Sequence, residues 1–256
     1  MAVAAVEPPV AHCGPAMAAS QEEERPPGLV LEQHFAQLEE ALAGGAWEVD
    51  GDDISLYVCD GQTPGEGPAG AVLVTQGDCG AEAELVHRFQ GGDGARVDRL
   101  STHLVCEALN PDSFGTFTVG LAYDEDFQEA ALLAISLRRP RALLEEAAEG
   151  GKPKEPVAVE LQLNGKVLEP DVGTLPVRLE LDAELTWAGK QSSVKVWYRL
   201  NPEGGSSGPA RSGEATASFY TTTVKYDRAQ ALCLRSTGAT RVRLVSARCL
   251  AAGEGA

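Results

Sequence analysis

The sequence predicts an all-β protein built as an antiparallel sandwich or barrel, and three observations lead to that class. Short runs rich in Val, Leu, Thr and aromatic residues recur along most of the chain. Gly, Pro, Asp and Asn break nearly all of them, and no helices alternate with them, which argues against a parallel α/β sheet. The composition is 43% hydrophobic and 23% charged over 256 residues, enough apolar material for a core without disulfides or metal.

Taken in order, residues 1–28 are rich in Ala, Pro and Glu, carry no apolar period and end in Glu22-Glu23-Glu24-Arg25-Pro26-Pro27-Gly28. They read as a flexible acidic arm. In 29–45, Leu31, Phe35, Leu38 and Leu42 recur at three- and four-residue steps before Gly44-Gly45, so this stretch predicts one amphipathic helix. Strands are predicted over 54–59, 71–75, 83–89, 103–109, 116–123, 157–163, 177–187, 194–200, 217–225, 231–235 and 240–247. Residues 127–149 suit a helix or a strand up to Pro140 and a helix beyond it. The stretches 150–154 and 204–213 read as loops within one sandwich spanning 46–250, with 251–256 a disordered tail.

Charge narrows the partners. The net is -17, and Met1 to Asp60 sets Arg25 alone against twelve acids. Lys190 to Ala256 reverses the sign, with ten basic residues against Glu203, Glu214, Asp227 and Glu254. An acidic chain is repelled by nucleic acid overall, so any RNA contact is expected in this basic last quarter. There Arg241 and Arg243 alternate with Val242 and Leu244 and share one strand face, with Arg235 and Arg248 as candidates to join them. No run of about 18 apolar residues suggests a membrane span, and Met1 to Val10 lacks the basic start and apolar core of a signal peptide.

Catalytic and metal motifs are weak. The six cysteines and four histidines form no CxxC or HxxxH pair, so a structural zinc is not expected and the cysteines read as small core residues. Gly77-Asp78-Cys79-Gly80 is similar to the nucleophile turn of chymotrypsin-like cysteine proteases, yet only His12 and His34 precede it, and a glycine-flanked turn is the simpler reading. Asp50-Gly51-Asp52-Asp53 reads as a β-turn. No phosphate-cradling glycine motif occurs. Trp187, Trp197 and Tyr198 read as core or rim aromatics. A non-enzyme without a cofactor is expected. Asp124-Glu125-Asp126 follows a predicted strand, and Asp124 and Asp126 would suit a calcium ion shared at a subunit interface.

The stretch 100–126, LSTHLVCEALNPDSFGTFTVGLAYDED, resembles the middle of the single jelly-roll coat protein of small icosahedral RNA viruses. Pro111, Gly115, Tyr123, Asp124 and Asp126 carry that resemblance, and Val172-Gly173-Thr174-Leu175 is similar to the opening of a late strand in the same fold. The resemblance implies a jelly-roll β-sandwich that self-assembles into a shell enclosing a genome, found in the virion and host cytoplasm. Its partners would be further copies of itself, other coat subunits and RNA, with no membrane. The acidic arm departs from the basic arm of many such coats. The rival expectation is a cytosolic β-sandwich adaptor, and a movement-type viral protein is a third.

Overall fold

A computed structural model describes residues 28–51, 54–62, 67–77, 81–89, 95–110, 114–122, 131–138, 158–188, 192–201, 209–218 and 228–251. In chain order its strands are β1 (Leu29–His34), β2 (Glu48–Gly51), β3 (Ile54–Cys59), β4 (Gly70–Thr75), β5 (Glu82–Arg88), β6 (Arg99–Leu109), β7 (Thr116–Ala122) and β8 (Ala131–Arg138). They continue with β9 (Glu160–Leu163), β10 (Lys166–Glu169), β11 (Val177–Thr186), β12 (Ser193–Leu200), β13 (Arg211–Ser218), β14 (Ala231–Thr237) and β15 (Thr240–Leu250). A 3-10 turn at Phe35–Gln37 leads into the short helix α1 (Leu38–Ala43).

The strands form two antiparallel sheets. In the front sheet the order is β13-β12-β11-β6-β15-β4-β3, with β1 also paired to β15; in the back sheet it is β10-β9-β8-β7-β14-β5-β2. Eight of these strands define the fold. In front, β4, β15, β6 and β11 lie side by side, and behind them lie β5, β14, β7 and β8. That order arises when a long antiparallel ribbon wraps into two Greek keys, which is the jelly roll. The remaining strands widen it: β3 beside β4, β12 and β13 beside β11, β2 beside β5, and β9 and β10 beside β8.

Period-two patterning explains the layering. Along β11 the residues Val177, Leu179, Leu181, Ala183 and Leu185 are buried, while Arg178, Glu180, Asp182 and Glu184 between them are not. Because alternate side chains leave opposite faces of a strand, this one strand supplies both core and outer surface. The core between the sheets includes Leu73, Leu100, Leu104, Phe117, Leu121, Leu133, Ile135, Leu234 and Leu244. Removing such side chains from water stabilises the fold by about 1.5–3 kcal/mol each. At Gly70 a Cβ would lie 2.1 Å from the Leu244 carbonyl oxygen, so only glycine lets β4 close on β15 there.

Several expectations are corrected. Residues 29–45 are not one helix, because Leu29–His34 is a strand and the α-helix covers only Leu38–Ala43. Leu31 and Gln33 are buried while Glu32 and His34 are exposed, so tertiary pairing with β15 selects the two-residue period over the helical one. Ala131–Arg138 settles as a strand, and Arg211–Ser218 is a strand where a loop up to 213 was expected. β2 and β10, of four residues each, were not anticipated. The arm at 1–27, the tail from 252, most of the strand expected at 217–225, the Cys79 turn, and Asp124 and Asp126 lie outside the described residues.

Candidate functional site

The outward face of the front sheet carries two rows of polar side chains that run across six strands. Cα partners set the first row: Glu32 on β1, Arg248 on β15, Ser101 on β6, Asp182 on β11, Trp197 on β12 and Glu214 on β13. The second row, two residues along, is His34, Ser246, His103, Glu180, Arg199 and Ser212 on the same strands. Register alone brings together residues far apart in the chain, such as Glu32 and Arg248. A bulge in β15 between Leu244 and Ser246 turns Ser246 and Arg248 toward this face while Ala247 and Cys249 point inward.

Between these rows lies a groove of about 260 Å³, lined by Glu32, His34, Ser101, His103, Glu180, Asp182, Arg199, Ser246 and Arg248. Its charges are paired in place. Arg199 Nη2 lies 2.8 Å from Glu180 Oε2, and Arg248 Nε lies 3.8 Å from Glu32 Oε1. The Ser101 hydroxyl donates to Asp182 Oδ1 at 2.7 Å. Trp197 stands half-buried beside Asp182, with the Lys195 ammonium 4.8 Å from its ring centroid. The groove therefore offers paired donors and acceptors, and the next strand position beyond Asp182 carries an aromatic ring.

Arg241 and Arg243 stand on this same sheet, as their alternation predicts, and the bulge in β15 brings Arg248, which is out of phase with them, to its outer face. Arg241 and Arg243 both hydrogen-bond Glu107, Arg243 Nε at 2.9 Å from Oε1, and Arg243 Nη1 also donates to the Pro68 carbonyl at 3.2 Å. Arg243 is 4% exposed, whereas Arg241 is open and lies over Tyr57, 5.9 Å from its centroid. The hydrogen bond to Glu107 raises the Arg241 pKa above its ordinary value. Arg235 does not join them. It belongs to β14 of the back sheet, where Glu82 and Glu84 bind its guanidinium. All four arginines thus face a carboxylate.

The other chemical candidates are structural. Cys106, Cys233 and Cys249 are buried, and burial pushes the Cys233 and Cys249 thiols up to about 12, so both stay protonated. Tyr198 is a core residue and Trp187 packs against the core with its indole N–H on the Val97 carbonyl at 3.0 Å. Of Trp187, Trp197 and Tyr198, Trp197 is the one that faces outward. Among the described residues no cluster of three metal-ligating side chains occurs, and no helix is long and apolar enough to cross a membrane.

Sequence reasoning missed Ser101, His103, Glu180, Asp182, Trp197 and Arg199 as a set. The signal was present as alternation within β6, β11 and β12, but each run alone reads as an ordinary polar strand face.

Fold and face together define a jelly-roll β-sandwich with a polar groove across one sheet. No family model matches the chain, and no curated protein matches it. Solved structures similar to it include a carbohydrate esterase from the Shiga toxin-encoding bacteriophage phi24B, at 12% identity and a TM-score of 0.45 over 88% of this chain and 99% of that one. Another is the lectin from Bauhinia forficata in complex with GalNAc, at 10% identity and 0.44 over 86% and 98%. A third is the mannan-recognising carbohydrate-binding module TmCBM27, at 10% identity and 0.32 over 86% and 95%. The jelly-roll assignment rests on the strand order and register of this chain.

Proposed function

We propose that this protein binds a neutral carbohydrate in the groove of its front sheet, without turning it over. The observation that carries the reading is Trp197 set beside Asp182 in one cross-strand row, next to the Arg199–Glu180 pair. A sugar ring presents C–H groups on its faces and hydroxyls at its rim. An aromatic ring suits the first, while carboxylates and guanidinium groups held in place suit adjacent hydroxyls with paired hydrogen bonds. The pairing of each groove arginine with a carboxylate leaves little uncompensated positive charge, which disfavours a polyanion such as RNA.

Affinity electrophoresis against neutral and acidic polysaccharides, followed by calorimetry on any hit, tests this. Binding to a neutral glycan that is lost in Trp197→Ala and weakened in Asp182→Asn is the expected result. Retention on RNA or sulfated glycans alone, with a steep salt dependence, would overturn it. Release of acetate or sugar by the purified protein, absent in Ser101→Ala, would overturn the non-enzymatic part.

A second reading is a coat subunit that assembles with copies of itself. It is favoured by the order β4-β15-β6-β11 over β5-β14-β7-β8, the jelly roll that capsid and lectin domains share. Closed shells in light scattering and negative-stain microscopy are its expected signature; a species no larger than a dimer removes it.

A further inference from the structure

Strand β13 closes one edge of the front sheet, and among the described residues no strand pairs with its outer side. It pairs with β12 through all eight of its residues, from Ser193 against Ser218 to Leu200 against Arg211, with no register shift. Of the other edges, β2 and β10 have four residues each, bulges interrupt the pairing of β10 and of β1, and β3 is regular but shorter, with six residues. An edge that is long, regular and without Pro or a bulge is a template for another strand, and soluble chains avoid leaving one open. On its inner side β13 also leaves Ala215 and Ala217 only partly covered against the core.

We infer that two copies of this chain join through β13, antiparallel about a two-fold axis, so that their front sheets form one continuous sheet. Self-pairing fixes the possible registers, because directly opposed residues share a face and their numbers must sum to an even value. Centring the axis on Glu214 would oppose two carboxylates. Centring it on Ala215 opposes Ala215 to its own copy, Glu214 to the partner's Thr216, Gly213 to the partner's Ala217 and Ser212 to the partner's Ser218. No two like charges are then directly opposed along the contact, about 23 Å of edge over seven residues, and each Glu214 meets a neutral threonine. Such an isologous contact is self-complementary, which is why a second copy fits this edge. The inference is independent of the groove, and it applies equally to an isolated dimer and to a larger shell.

The register gives a test that separates pairing from folding. Within one chain Thr216 lies opposite Lys195, so Thr216→Glu favours the fold of the monomer. Across the axis it sets two new carboxylates against the two copies of Glu214. Like charges directly opposed on strands should weaken the dimer about tenfold. Sedimentation velocity of the full chain should show a dimer for the natural sequence and a shift toward monomer for Thr216→Glu, with unchanged circular dichroism. Mild oxidation of Ala215→Cys should give a covalent dimer linked through position 215 itself, since opposed Cα atoms lie about 4.5–5.5 Å apart, within disulfide reach. A natural chain that sediments as a monomer would overturn the inference, as would a Thr216→Glu chain that keeps the same dimer or larger assembly, or an Ala215→Cys chain that fails to cross-link.

Discussion

The side chain of Tyr198 crosses over Gly213 on the neighbouring strand, so closely that a Cβ at 213 would lie 2.3 Å from the tyrosine oxygen. That oxygen is committed elsewhere, because the hydroxyl donates to Glu169 Oε1 at 2.8 Å and so links β12 of the front sheet to β10 of the back sheet. The ring has no way to yield without breaking the link. Gly213→Ala is expected to destabilise the protein by about 1–3 kcal/mol through overpacking. Urea denaturation of the variant, with Ala215→Gly as a control at the same strand, measures it.

Alkaline pH should act through the same tyrosine. Burial, reinforced by Glu169, raises the Tyr198 pKa from 10.0 to about 12. Its stabilising contribution is therefore complete below pH 10 and falls away as pH rises toward 12, since the unfolded chain releases the proton first. Melting temperatures taken between pH 9 and pH 11 should drop less steeply in Tyr198→Phe, which has no proton to lose. Equal slopes would contradict the assignment.

On the acid side the responsive group is His87. Its ring packs between Trp47 and Phe89, with centroids at 5.2 and 5.6 Å, and Nδ1 donates to the Ala46 carbonyl at 2.6 Å. Burial lowers its pKa from the ordinary 6.5, partly offset by that hydrogen bond. A depressed histidine contributes stability that is present above pH 6.5 and lost as pH falls, because the unfolded state takes up the proton more readily. The carboxylates of the chain also respond to acid, so the informative quantity is a difference. His87→Gln should lose less stability than the natural sequence between pH 7 and pH 5, read by thermal melts in both.

Glu107 holds two guanidinium groups at once, and Arg243 is among the most buried cations described. Glu107→Gln removes the charge while keeping the shape, leaving Arg243 with neutral acceptors alone among those described, the amide oxygen at 107 and the Pro68 carbonyl. Breaking a largely buried ion pair from one side costs about 3 kcal/mol. The loss should show in the urea midpoint and should be much smaller in Arg241→Gln, because Arg241 is open to water.

The strands of this fold were legible where a single run carried its own evidence. Ile54–Cys59 matches the expectation residue for residue, and Val177–Thr186 and Ser193–Leu200 match to within one. Where neighbours decide, sequence misled. Leu31, Phe35, Leu38 and Leu42 have helical spacing, yet β15 captures Leu29–His34 because Leu31 gains a place opposite Cys249. Arg211–Ser218 is so poor in β-formers, with Gly213 and Ser residues, that only its fit against β12 makes it a strand. The groove was illegible for the same reason. Ser101, Asp182 and Trp197 become neighbours through register, a property of pairs of strands that no single run contains.

The wrapping order also sets when the molecule can form at all. β15 sits between β4 and β6 in the front sheet and β14 sits between β5 and β7 in the back one, yet both follow every other described strand along the chain. A chain growing from the ribosome at about 5–20 residues per second holds both sheets split at their centres until those strands emerge. During that interval β4, β5, β6 and β7 each carry an open edge, and the nascent chain depends on remaining unpaired without aggregating. A message truncated before Ala231 yields four exposed strand edges and no closed core, so its product should be degraded or insoluble, whereas loss of residues beyond Ala251 leaves every described strand in place. Closure of both sheets here waits on β14 and β15, however early the other strands have emerged.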